Sequence, residues 1–214
     1  MKRNQFVKFL AASSLLGASS LSATVTPVGV DSTTGPNWRT AANLEPDNEY
    51  GTAGYVIFGL NEADSVYNDN FDVSDANPAN AYNLPAEISI STSDVNIGMW
   101  SGNGNFGTME DPGNGNTLTS APVLANTGGT KQFTITRAAN GAFRITIIVA
   151  SGDNEGTEYN VAVDDSSGSV NSNYDHVANG LAYHVFDVSE GDSDIQINIT
   201  STTQNRSLMG IAFD

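Results

Sequence analysis

An antiparallel β-sandwich, all-β in class, is what this sequence predicts, and three observations predict it. Apolar side chains recur at every second residue in many short segments. Clusters of Gly, Asn, Asp and Ser separate those segments and supply the backbone freedom that tight turns need. No long stretch gathers Ala, Leu, Lys and Glu into an amphipathic helix.

The first pattern is clearest at Ile195, Ile197 and Ile199, which alternate with Gln196, Asn198 and Thr200, as in a strand with one wet face. Tyr159, Val161 and Val163 alternate with Asn160, Ala162 and Asp164, and Phe133 and Ile135 with Gln132, Thr134 and Thr136. Phe143, Ile145, Ile147 and Val149 form a further row. Ile148 and Ala150 make the opposite face of that segment apolar too, so it belongs in the middle of a sheet. Residues 54–59, 87–91, 96–100, 182–188 and 208–213 are further strand candidates. Turn clusters at 139–141 and 151–156 break residues 131–163 into three strands, which read as a meander. The last strand, 207–214, would turn Met209, Ile211 and Phe213 inward together. One short helical turn is expected near 61–66 or 175–180. About eight to ten short strands imply two sheets or a barrel, and at 214 residues the jelly roll is the favoured variant.

The first 23 residues differ from the rest. Lys2, Arg3 and Lys8 form a basic start, the segment 9–16 is apolar, and small residues run to Ala23. That order is the pattern of a secretory signal peptide, too short to span a bilayer as a stop-transfer helix. The cut could fall after Ser20, Ser22 or Ala23. Placed after Ala23, it removes three positive charges and takes the net charge from −16 to −19. The reading is therefore a signal peptide at 1–23, a polar arm at 24–36 and one domain at 37–214. Pro27, Pro36 and Pro46 make 24–50 either an extended arm or a first edge strand. No other run approaches transmembrane length, so the expected place of the protein is outside the cell or on its surface.

Composition excludes whole classes of chemistry. Eight Lys and Arg against 24 Asp and Glu would repel nucleic acid and anionic membranes. The absence of Cys excludes disulfides, thiolate zinc sites and a cysteine nucleophile. No Gly-x-Ser-x-Gly elbow occurs, and neither His176 nor His184 has a second histidine at metal spacing. His184 reads as a half-buried strand residue, and Asp175-His176 lacks a nucleophile beside it. The expectation is a protein that is not an enzyme, with a small polysaccharide-active enzyme as the weakest alternative.

Two kinds of ligand fit what remains. Calcium takes clustered carboxylate and amide oxygens, and Asp69 with Asp72, Asp153 with Glu155, and Asp164 with Asp165 are the candidate ligands. Each cluster is also ordinary turn chemistry. Sugars present flat C–H faces to aromatic rings and hydroxyls to nearby polar groups. Trp38, Tyr67, Tyr82 and Trp100 sit in Asn-rich surroundings, and Asn103 and Asn105 lie in the Gly/Asn-rich stretch 101–116. Both Trp can equally serve as packing residues, and the 101–116 stretch as a plain connector.

With its leader, alternating strands and Asp/Asn-rich turns, the chain resembles the secreted jelly-roll domains of bacteria. Galactose-binding-like domains and carbohydrate-binding modules are among them. The likeness rests on Tyr55-Val56-Ile57-Phe58-Gly59, on Phe143-Arg144-Ile145-Thr146-Ile147-Ile148-Val149, and on the closing Met209-Gly210-Ile211-Ala212-Phe213-Asp214. It covers roughly 37–214 as architecture and carries no family binding residues across. It implies a non-catalytic role in binding a polysaccharide or cell-surface glycan, often with a structural calcium ion. The competing expectation is a structural or adhesive surface protein that associates with copies of itself.

Overall fold

β-Branched and aromatic residues at alternate positions make strands because they fill a pleated, half-buried surface. The computed structural model describes residues 23–34, 50–58, 81–92, 98–99, 109–110, 117–118, 123–124, 130–138, 141–151, 157–165, 168–176, 180–191, 194–201 and 206–214. Every regular element among them is a strand. In chain order they are β1 (Val25–Thr34), β2 (Gly54–Ile57), β3 (Ala81–Asn83), β4 (Ile88–Thr92), β5 (Gly98–Met99), β6 (Met109–Glu110), β7 (Thr117–Leu118) and β8 (Val123–Leu124). The longer strands follow: β9 (Thr130–Arg137), β10 (Phe143–Ser151), β11 (Thr157–Asp165), β12 (Gly168–His176), β13 (Gly180–Val188), β14 (Ile195–Ser201) and β15 (Arg206–Phe213).

Two antiparallel sheets face each other as a sandwich. The larger runs β1-β13-β10-β15-β2-β3, with β8 also pairing β15 and β5 pairing β8. The smaller runs β12-β11-β14-β9-β4. One core lies between them. Ile145, Ile147 and Phe186 from the larger sheet meet Phe133, Val161 and Ile197 from the smaller, all inaccessible to solvent. Phe58 and Phe133 stack across the gap with ring centroids 6.4 Å apart.

The long pairings are nested about one hairpin. β11 pairs β12, β10 pairs β13, β9 pairs β14 and β2 pairs β15, and successive rungs fall in alternate sheets. The meander expected over 131–163 is therefore corrected. β9 and β11 lie on either side of β14 in the smaller sheet, and β10 crosses to the larger. Alternation of side chains fixes which face is buried but not which sheet a strand joins. Residues 175 and 176, within one expected helical turn, close β12, while 61–66 lies outside the described residues.

β10 sits inside the larger sheet between β13 and β15, as its two apolar faces predict. Its second face is buried as well. Ile148, Thr146 and, two strands away on β2, Ile57 are inaccessible, Tyr183 on β13 is nearly so, and Tyr50 stacks on Tyr183 at 4.9 Å and 10°. β15 departs from the simple alternation. A register shift opposite Ile148/Val149 places Leu208 in phase with Ile211 and Phe213 in the core, and the Met209 side chain lies outside the described set. Gly210 sits where a Cβ would meet the Val56 carbonyl oxygen at 2.6 Å, so its missing side chain lets β2 approach.

Residues 25–34 form the edge strand β1, which runs along β13 from Val25 opposite Val188 to Thr34 opposite Gly180. Pro27 and a bulge between Pro27 and Gly29 interrupt this edge, leaving Val28 half exposed. Both devices discourage a second chain from pairing there. The start of β1 is pinned. Val25 N donates to Asp165 Oδ2 at 2.8 Å, Thr24 N to Ser189 Oγ at 2.8 Å, and Ser189 N to Thr24 O at 2.9 Å.

Candidate functional site

The end of the sandwich where β9 turns into β10 carries two clefts. One, of about 210 Å³, is lined by apolar Pro85, Ile88 and Phe213 and by charged Glu87, Arg137 and Asp214. The other, of about 350 Å³, is lined by Thr24, Thr26, Asp187 and Ser189 among others. Ala142 and Phe143 line both. Phe143 is half-buried at the first position of β10 and packs against the rim of the core. Phe213 packs against it, with ring centroids 6.0 Å apart and planes tilted by 43°.

Two arginines frame this aromatic ridge, and both are engaged. The Arg137 guanidinium lies 5.3 Å from the Phe143 ring centroid. Its Nη1 donates to the carbonyls of Gly141 and Ser189, each at 3.3 Å, and its Nη2 to that of Gly191. It thereby ties the β9–β10 turn to the end of β13. Arg144 Nε donates to Asp187 Oδ1 at 2.8 Å, and that hydrogen bond raises its pKa above the ordinary value. Both partners of this pair are about half exposed, so it contributes at most about 1 kcal/mol. Asp214 Oδ1 accepts from Thr52 N and Thr52 Oγ1. The clefts therefore combine an aromatic surface with hydroxyls and carboxylates, and their positive charge is already bound by the protein itself.

A second surface lies on the outer face of the smaller sheet. β9 presents Gln132, Thr134 and Thr136, and β14 presents Gln196, Asn198 and Thr200, because their odd-numbered neighbours face the core. Gln132 Nε2 donates to Gln196 Oε1 at 3.2 Å and to Asn198 Oδ1 at 3.0 Å, and Asn198 Nδ2 donates to Asp164 Oδ2. This row of three amides on β9 and β14 ends on the Asp164 carboxylate of β11.

Asp164 and Asp165 are neighbours on β11 and so point to opposite faces, which stops them gripping one ion as a pair. Both oxygens of Asp165 accept backbone donors, Oδ2 from Val25 N and Oδ1 from Gly168 N at 3.0 Å. Among the described residues, no three Asp, Glu or His side chains come together. Tyr82 lies in β3 opposite Val56. Trp38, Tyr67, Trp100, Asn103, Asn105, Asp69, Asp72, Asp153 and Glu155 lie outside the described residues. His184 is fully buried rather than half-buried. It faces the core beside Phe186, and its Nδ1 shares a 3.0 Å hydrogen bond with Ser172 Oγ on the opposite sheet. Burial lowers its pKa from 6.5 to about 4. This Ser–His contact bridges the two sheets, with the imidazole inaccessible to solvent and Ser172 half-buried.

Sequence reasoning placed Phe143 with the core row. The available signal was its position immediately after a Gly-containing turn, where a strand emerges at the edge of the sandwich. The amide row was visible as the polar complement of the apolar alternation but did not stand out as a site. No protein-family model, no curated protein and no solved structure matches this chain.

Proposed function

We propose that this chain is an exported, non-catalytic carbohydrate-binding domain that holds a glycan in the paired clefts at the sandwich end. The observation that carries the reading is Phe143, an aromatic ridge common to two clefts that also offer hydroxyls and carboxylates. Sugar rings need that combination, an apolar surface for their C–H faces with donors and acceptors beside it. Two clefts that share one aromatic residue suit two successive sugar units. Glu87, Asp187 and Asp214 would disfavour uronic or sulfated chains, so neutral and amino sugars are the expected class. The nested strand pairings support the same reading. A long hairpin rolled so that its rungs alternate between two sheets is a jelly roll, the architecture of many secreted glycan-binding domains.

Glycan-array screening followed by calorimetry tests this. Phe143→Leu keeps apolar volume against Phe213 but removes the ring, and should weaken binding about tenfold, the worth of one aromatic contact. Binding of no neutral or amino glycan, or full binding by Phe143→Leu, would overturn the proposal. Release of reducing ends from a bound polysaccharide would make the protein an enzyme instead.

A structural calcium ion belongs to the same proposal, in the acidic segments around Asp69 and Asp72 or Asp153 and Glu155. Its expected signature is a melting temperature that rises with added calcium and falls with chelator. A melting curve indifferent to both would remove calcium from the account.

A further inference from the structure

We infer that the outer face of the smaller sheet is a self-association surface on which two copies of this chain meet. The chain carries 24 acidic residues, yet within the strands of this face Asp164 is the one charge among the described side chains, with exposed Asp194 just before β14 and Glu87 just before β4 at its border. Glu158 and Asp175 pair in register toward one end of β11 and β12, and their side chains lie outside the described set. At a net charge of −16, two copies repel wherever carboxylates face each other. A face centred on Gln132, Thr134, Gln196 and Asn198 avoids that.

Those groups also suit a partner identical to themselves. Each amide and hydroxyl both donates and accepts, so the face is complementary to a second copy related by a two-fold axis. A purely acidic or basic face would not be. Association through β1 is obstructed by Pro27 and the bulge beside it, which turns attention from the sheet edge to the sheet face.

The size of the face sets the strength. Five strands at ~4.8 Å spacing, five to nine residues long at ~3.4 Å per residue, project roughly 600 Å². A standard interface takes about 800 Å² per partner. The dimer is therefore weak and reversible, and it strengthens as salt screens the remaining repulsion. Such a dimer would carry two copies of the Phe143 cleft pair, which would add avidity for a repeating glycan without any new contact.

Sedimentation velocity on the exported protein tests this across protein concentration at low salt and at about 1 M NaCl. A dimer that grows with concentration and with salt is expected. Thr134→Glu and Thr136→Glu each place a charge on the face and should raise the dissociation constant about tenfold or more. Val28→Glu adds the same charge on β1 and should leave the dimer unchanged. Phe143→Leu should keep the dimer, which separates this inference from the glycan reading. A chain that stays monomeric up to millimolar concentration in high salt overturns it. So does a dimer that neither threonine variant weakens.

Discussion

Lowering the pH from 7 to 5 should weaken this fold by about 2 kcal/mol, and the slope should vanish when His184 is replaced by glutamine. In the folded chain the imidazole is enclosed between the sheets, and burial lowers its pKa to about 4 from the ordinary 6.5. It is neutral in the native state at every pH above that value. The unfolded chain takes up a proton at this residue as soon as the pH falls below 6.5. Stability is therefore complete above pH 6.5, declines as the pH drops, and stops declining near pH 4. Each pH unit in that window costs about 1.4 kcal/mol, for a total of about 3 kcal/mol. The upper part of the window is the informative one. Below pH 5 the many carboxylates begin to protonate, and relief of their mutual repulsion acts in the opposite direction. Urea denaturation at intervals from pH 7 to pH 5 reads the effect. His184→Gln keeps a polar group for Ser172 and does not titrate, so its curve should be flat whatever its height. A flat wild-type curve, or a slope that survives in His184→Gln, would remove His184 as the cause.

How much of this was legible in the sequence depends on what each strand buries. β14 and β10 were legible because burial on one face or both leaves an apolar row at period two. β12 was not legible. Its sequence, Gly-Ser-Val-Asn-Ser-Asn-Tyr-Asp-His, has few apolar residues, and it is a strand because β11 pairs with it along its whole length. An edge strand draws its order from its neighbour's backbone more than from its own side chains. β1 stood between arm and edge strand for the same reason, since Pro27 fits either. The assignment of strands to sheets was hidden because a turn-rich composition between strands serves a meander and a change of sheet equally well. The clefts beside Phe143 were hidden for a related reason. They are assembled from β1, β4, β9, β10, β13 and β15, which are distant in sequence, so no local spacing announces them. The acidic turns, by contrast, were conspicuous in sequence. Where Asp165 can be followed, its carboxylate holds Val25 and Gly168 in place, the turn role that composition offered beside calcium.

A chain ending at Leu208 should not fold. The six residues 209–214 contain Ile211 and Phe213, both essentially inaccessible, and supply the β15 backbone that pairs β10 on one side and β2 on the other. Beyond the ladder, Ala53 N donates to Phe213 O, Arg144 N to Asp214 O and Asp214 N to Arg144 O. Deleting the segment opens the larger sheet down its middle. β2 and β3 lose their link to β10, and the core between the sheets loses Ile211 and Phe213. Burying one such large side chain is worth roughly 1.5–3 kcal/mol, and the cavity left behind adds to the loss. With the ladder hydrogen bonds the deficit reaches the total stability of an ordinary domain, about 5–15 kcal/mol. The expected result is a chain with no cooperative thermal transition by circular dichroism. Phe213→Ala, which keeps β15 whole, gives the graded version and should cost about 3–5 kcal/mol while still unfolding cooperatively. The contrast between the two variants is the test, because it separates the strand from its largest side chain. If the truncated chain melts with the full-length transition, β15 does not hold the two halves of the larger sheet together, and the nested pairing of β2 with β15 would have to be given up.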